Sequence, residues 1–307
     1  MRIEPATPES VKEAAEVLRT GGLVVLPTET VYGLACNALD TSAVKKVYEI
    51  KGRPSENPLI VHLADFADLG SVAESWTEDC ENLAKRFWPG PMTLVLPKKD
   101  NVPSETTGGL DTVAVRIPDH PLALTVIRTA GVPLAAPSAN PFMGLSPTCA
   151  EDIEPEIGDN VDLVLDGGTC EIGLESTVID LSGDHPRILR PGGITRAQIQ
   201  AVIGRPLGHL PPPTVNRSPG MYPRHYAPKA KLKIVTKLER GQTGLTFSDC
   251  EENGQIKMPD DPKAYAASLY RALRKLDKEG VEIIFVENPP DDPDWEAVHD
   301  RLQRASG

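Results

Sequence analysis

A lysine and an arginine one residue apart, Lys51 and Arg53, stand just before Pro54 in the stretch GGLVVLPTETVYGLACNALDTSAVKKVYEIKGRPSENPLIVHL, residues 21–63. Paired cations of this kind can hold an anionic ligand. Upstream, Thr28, Glu29 and Thr30 bring hydroxyls and a carboxylate; downstream, His62 adds an imidazole. The set suits an anionic ligand. The elements that must position it can be read around it. Residues 23–26 are a short β-rich apolar run and predict a buried strand, ended by Pro27. Thr28 to Thr30 would then lie at the strand's carboxyl end, where open α/β sheets gather ligands. Ser42 can cap a helix that turns Val44, Val47, Tyr48 and Ile50 inward and stops by Pro54. A second strand over 58–63 completes a strand-helix-strand unit. Plainer explanations fit the same spacing. The macrodipole favours cations at a helix C-terminus by roughly 0.3–1 kcal/mol without any ligand. A histidine in an apolar strand is commonly a satisfied core residue, and 28–30 reads equally well as turn chemistry.

Further along, TVAVRI (112–117) alternates with period two. Val113, Val115 and Ile117 share one face, and Thr112, Ala114 and Arg116 the other. An arginine on a strand covered from both sides needs an anion, because an unpaired buried charge is costly. That anion is either one of the 44 acidic residues or a ligand carboxylate. A short strand at 134–136 runs into PSANP (137–141), a proline-fixed loop that ordinary turns also resemble.

The remaining pattern supplies the frame. Thr7 and Pro8 open an amphipathic helix over 7–20. Helices are expected at 65–69, 77–87 and 122–129, and strands at 93–96, 161–165, 175–180 and 187–190. Thr195 caps a last helix, 197–203, which closes a first domain near residue 205. Residues 206–230 are proline-rich, hence extended and stiff, and can serve as connector or lid. From 231 a smaller α/β unit follows, with strands at 232–235, 244–247 and 281–286 and helices at 262–278 and 294–304. It shows no catalytic motif.

Bulk properties narrow the choices. A length of 307 residues predicts two domains, and 40% hydrophobic with 25% charged residues is ordinary for a globular protein. The five cysteines are scattered without any C-x-x-C, which argues against a disulfide framework or structural zinc and fits a reducing cytoplasm. There is no apolar leader and no run approaching a membrane span, so no membrane partner is expected. The net charge of −12 argues against a long phosphate-backbone footprint, and therefore against tight direct binding of tRNA.

PTETVYGL (27–34), KGRP followed by NPL and IVH (51–62), PSAN (137–140) and SPGM…RHYAP (218–228) appear in one order along the chain. Together they resemble the YrdC-like family of threonylcarbamoyl-AMP synthases in its two-domain form, from about Thr7 to Pro228. The resemblance implies an α/β fold. A YrdC-like twisted mixed sheet with a concave ligand cavity would occupy residues 1–205, a linker or lid 206–230, and a small Rossmann-like α/β domain 231–307. It implies formation of threonylcarbamoyl-AMP from ATP, L-threonine and bicarbonate, a nucleotidyl transfer that releases pyrophosphate and feeds the machinery modifying tRNA.

Carried over by motif, Lys51 and Arg53 would be catalytic and grip the ATP polyphosphate. Asn57, Thr112, Ser138, Asn140, Ser146, Arg190 and Tyr226 would also contact ATP. Thr30, His62, Arg116, the Ala136 backbone and Ser176 would hold threonine, with Arg116 on its carboxylate. Mg²⁺ would arrive on the ATP phosphates and not in a protein cage, with Glu29 either near it or a structural cap. Tyr222-Pro223 departs from the commoner form of the linker motif, and the C-terminal region is short for the two-domain type. The competing readings are a non-enzymatic RNA-binding module of the same type and a hydrogenase-maturation carbamoyl-transfer module. The missing C-x-x-C pairs oppose the latter.

Overall fold

Ten strands, β1 (Ile3–Pro5), β2 (Val24–Leu26), β3 (Gly33–Asn37), β4 (Ile60–His62), β5 (Met92–Pro97), β6 (Thr112–Arg116), β7 (Leu134–Ala135), β8 (Leu163–Asp166), β9 (Thr177–Asp180) and β10 (Arg187–Arg190), form one mixed sheet. Its order is β1-β8-β2-β3-β7-β4-β6-β5-β9-β10. The computed structural model describes residues 1–207, 224–249 and 254–307, so Tyr222 lies outside the described residues.

The helices start where their caps dictate. Thr7 and Ser10 form a reciprocal capping box ahead of α1 (Pro8–Arg19). Asp40, not Ser42, caps α2 (Thr41–Lys51): its carboxylate accepts from the backbone N–H of both Ser42 and Ala43. The expected strand-helix-strand unit also contains an extra strand. After Pro27 the chain turns back, and β3 pairs antiparallel with β2, Leu26 opposite Gly33. β2 and β4 are therefore separated by β3 and β7. The run GLACN carries no polar alternation because its first four residues are buried on both faces, and that concealed it. The stretch 66–71 is a single 3₁₀ segment. α3 (Glu78–Phe87), α4 (Pro121–Ala130), a one-turn α5 (Pro155–Gly158) and α6 (Arg196–Ile203) complete the domain.

Helix placement creates the hollow. Val25, Val61, Val113, Val115 and Ala135 point to the larger core, with Val44 and Val47 of α2 and Leu83 of α3. On the opposite face, Val24, Leu26, Leu134 and Leu163 are covered by Val11, Ala14 and Leu18 of α1 and by Leu122, Val126 and Ile127 of α4. Farther along that same face the sheet presents Ile60, Ala114, Val95, Val178 and Leu189, a small separate apolar floor. Register places His62 opposite both Leu134 and Arg116, so these polar groups rise from the floor's edge.

The second domain has a four-stranded parallel sheet. Its strands are β11 (Lys231–Val235), β12 (Gly244–Thr246), β13 (Gln255–Lys257) and β14 (Ile283–Glu287), ordered β11-β14-β12-β13 and flanked by α7 (Pro262–Lys278) and α8 (Glu296–Ser306). Val31, Leu145 and Leu174 of the first domain belong to its apolar cluster, which binds the halves together. Among the described residues no helix is long and apolar enough to cross a membrane.

Candidate active site

Lys51 is the last residue of α2, and Gly52 ends the helix in the left-handed region (φ 60°). That reversal turns Lys51 and Arg53 toward the edge of the floor. Lys51 is 3% exposed, and its Nζ donates to Ser138 O at 2.6 Å and Asn140 O at 2.5 Å. The PSAN loop is thus tied to the helix end. Arg53 donates to Pro58 O at 2.9 Å and Asn57 O at 3.2 Å. Burial first, and Arg53 second, push the Lys51 ammonium well below the ordinary lysine range.

Arg116 lies on the strand face that its alternation predicts, away from Val113, Val115 and Ile117 in the large core. Its Nε donates to Gly90 O at 3.2 Å and its Nη2 meets Glu29 Oε1 at 2.6 Å, both side chains 5% exposed. Glu29 is therefore an internal partner of this arginine, and the question left by spacing is answered with a salt bridge that still leaves Arg116 on the cavity wall. His62 accepts no charge here: burial first, then Arg116, hold it neutral with a value of about 3. Thr30 and Thr28 share a hydroxyl contact of 2.8 Å.

A hollow of about 40 Å³ joins these walls. Thr30, Arg53, His62, Arg116, Ala136, Ser138, Arg190 and Tyr226 of the motif-matched residues line it, with His225 of the RHYAP stretch and with Glu175, which no motif singles out; Lys51 is not part of the lining. Ser176 is one step behind: its Oγ meets Thr93 Oγ1 at 2.7 Å and receives Arg190 Nη2 at 3.1 Å. Ser146 donates to Glu175 at 2.5 Å. Asn140 spends its amide N–H groups on Pro141 O and Gly144 O, while its Oδ1, both polar atoms of Asn57 and His225 Nδ1 are buried without a hydrogen bond. Orphaned buried polar groups beside a hollow are what a ligand would satisfy. Thr112 is not on the wall; it sits at the far end of β6 opposite Pro97. Larger hollows exist among the described residues, away from this cluster. One of about 1,040 Å³ is lined by Asp291, Asp292, Asp294, Glu296 and Asp300 against Arg196, an acidic balance that disfavours an anion.

The roof comes from residues 224–228. His225 N donates to Arg304 O at 3.0 Å and Ala227 N to Met143 O at 2.9 Å. Tyr226 between them takes φ 58°, unusual for a bulky residue. Its ring stacks on Tyr270 at 6.1 Å and faces the Arg301 guanidinium at 4.8 Å. Burial holds His225 neutral at about 3, although Glu175 opposes this.

The turn at Gly192 supports the same wall. A Cβ there would meet Thr177 N at 2.4 Å and Glu175 O at 2.5 Å, which are backbone atoms unable to swing away. Gly192→Ala is expected to cost about 1–3 kcal/mol or more of stability by overpacking. Denaturant melts compared with Gly183→Ala, whose Cβ would meet nothing within 4 Å and whose φ is not in the left-handed region, check this.

Residues 16–192 match the protein family described as "Telomere recombination", and residues 194–307 match "Threonylcarbamoyl-AMP synthase, C-terminal domain". The threonylcarbamoyl-AMP synthase of Pyrococcus abyssi is 42% identical over 97% of this chain and 94% of its own. That of Bacillus subtilis is 43% identical over 97% and 93%. A crystal structure of the Pyrococcus abyssi Sua5 protein complexed with L-threonine superposes with a TM-score of 0.92 at 40% identity, covering 99% of this chain and 96% of that one. A mixed-sheet domain with a cation-rimmed hollow, roofed by residues 224–228 and packed against a second α/β domain, defines a class. The chain belongs to the two-domain threonylcarbamoyl-AMP synthase family.

Proposed function

We infer that the chain is an L-threonylcarbamoyladenylate synthase. It would join ATP, L-threonine and bicarbonate into threonylcarbamoyl-AMP, releasing pyrophosphate and water. The reading is supported above all by one observation: Arg53 and Arg190 share a single hollow with Arg116, His62 and Thr30. One wall suits a polyphosphate and the other an amino-acid carboxylate. The threonine-bound state of the Pyrococcus abyssi relative supports threonine as the amino acid.

In this reading Arg116 takes the threonine carboxylate, and neutral His62 and Thr30 orient the rest of the amino acid. Bicarbonate and the threonine amine condense to a carbamate with loss of water. A carbamate oxygen then attacks the α-phosphorus, and pyrophosphate leaves as Lys51, Arg53 and Arg190 take up its charge. No side chain acts as a covalent nucleophile. Gathering the reactants and excluding water can account for roughly 7–11 kcal/mol of the barrier. Mg²⁺ would enter on the triphosphate oxygens, and the orphaned Asn140 Oδ1 is a hard donor of the kind it prefers.

A hollow of about 40 Å³ holds little more than a water molecule, so this is a closed state. The nucleotide enters when His225 and Tyr226 lift. One methyl in a snug slot supplies only roughly 1–3 kcal/mol, so the preference over serine would be modest. The product would pass to the transferase that modifies tRNA.

Mass analysis of the product made from ATP, bicarbonate and isotope-labelled threonine tests the proposal. The expected result is a labelled adenylate, with pyrophosphate released only when threonine and bicarbonate are both supplied. Pyrophosphate release unchanged by omitting threonine would overturn it.

A further inference from the structure

Glu175 is at odds with the site around it. The hollow is built from cations, yet one carboxylate lies on its wall. A bare negative charge there would repel an incoming polyphosphate and draw the neighbouring cations onto itself. The structure shows how this is prevented. Glu175 Oε1 accepts from Ser146 Oγ at 2.5 Å, while Oε2 accepts from Tyr270 at 3.0 Å and from Arg301 Nε at 2.9 Å. Tyr270 and Arg301 both belong to the second domain, on α7 and α8.

Arg301 is 1% exposed and does not line the hollow. The rest of its fork donates to Pro191 O at 3.0 Å and to Asp300 Oδ2 at 2.6 Å, so it is fixed in place. Its flat face carries the Tyr226 ring of the roof. Arg190 is held differently, with its Nε on Ser176 O at 3.1 Å and its Nη2 on Ser176 Oγ. Burial would raise the Glu175 carboxyl, but Arg301 and then Arg190 outweigh it and keep the group ionised. The second domain supplies the cation paired with this carboxylate, 2.9 Å away.

We propose that Arg301 is a positioning residue for nucleotide binding: from the second domain it neutralises Glu175, leaving Lys51, Arg53 and Arg190 to the polyphosphate. This rests on the hollow being the ATP site. It also gives the second domain a direct part in the reaction without supplying any group that touches substrate. Arg301 acts twice through other residues, once through Glu175 and once as the bed of Tyr226.

The test is a charge cycle in the full chain, using Arg301→Gln, Glu175→Gln and the double variant, read as separate KM values for ATP and threonine. Arg301→Gln is expected to raise the ATP KM about tenfold or more, with the threonine KM within about threefold. The double variant is expected to recover most of that loss, because no charge is left to neutralise. A purely structural role gives the opposite: a double variant as weak as Arg301→Gln, or equal loss toward both substrates, overturns the proposal. Should Arg301→Gln fail to fold, the double variant Arg301→Gln/Glu175→Gln, which leaves no buried charge of this pair uncompensated, takes its place. Its ATP KM is expected within about threefold of wild type, and a tenfold rise would overturn the proposal. Wild-type chain lacking threonine-dependent pyrophosphate release would instead bring down the function itself, a result visible before any variant is made.

Discussion

Arg116→Ala is expected to raise the KM for threonine about a hundredfold while moving the ATP KM less than about threefold. Gly90 O and Glu29 hold the guanidinium from behind, so it meets a carboxylate without reorganising. Methyl replacement removes the cation that β6 presents to the hollow. It also strands Glu29, 5% exposed, without its counter-ion. Breaking such a buried pair costs about 3–5 kcal/mol, so the melting temperature falls as well. The double variant Glu29→Gln/Arg116→Ala separates the effects. It is expected to regain part of the stability and none of the threonine affinity. Equal loss toward both substrates in a variant that keeps its circular dichroism spectrum would reject the assignment.

The position of Arg116 was legible because a strand's period is short and local. Val113, Val115 and Ile117 had to face the large core, which left Arg116 one place to go. Lys51 and Arg53 were legible for a similar reason: a helix ending before Pro54 must present its last residues beside the next strand. Asp40 displaced Ser42 as the cap because its carboxylate reaches two backbone N–H groups where a hydroxyl of Ser42 would start the helix later. β3 was hidden by its burial on both faces. Thr112 shares a face with Arg116, but the strand carries it away from the hollow, a separation that face alone does not encode.

Glu175 was hidden by distance along the chain. Its partners Tyr270 and Arg301 follow 95 and 126 residues later, and no local period specifies such a pairing. A signal was nonetheless present. Val298, Arg301, Leu302 and Ala305 are the buried positions of α8, at helical spacing. An arginine on the apolar stripe of a helix must find a buried anion, and a glutamate at the entry to an apolar strand must find a buried cation. Arg274 obeys the same rule on α7. It lies 3.3 Å from Asp152 and 3.4 Å from Glu154 of the first domain. The interface between the domains is therefore written as misplaced charges on otherwise apolar stripes.

Lys51→Met is expected to lower kcat/KM for pyrophosphate release about a hundred- to a thousandfold, the effect of removing one preorganised electrostatic donor. A second signature is particular to a buried lysine. In the empty protein, burial and Arg53 depress the Lys51 ammonium well below its unfolded value. Between those two values the unfolded chain binds more protons than the folded one, so this residue's contribution to stability rises with pH across the window. A neutral amine can still donate to both Ser138 O and Asn140 O, the contacts seen here. A triphosphate reverses the balance, since its charge favours the ammonium. Nucleotide binding should then take up as much as one proton inside that window, and ATP affinity should fall as pH rises through it. His225, neutral with a value of about 3, stays outside the exchange near neutrality. Calorimetry in buffers of different ionisation enthalpy measures the uptake directly. Lys51→Met should abolish the uptake, and an uptake undiminished in that variant would move the phosphate grip to another residue.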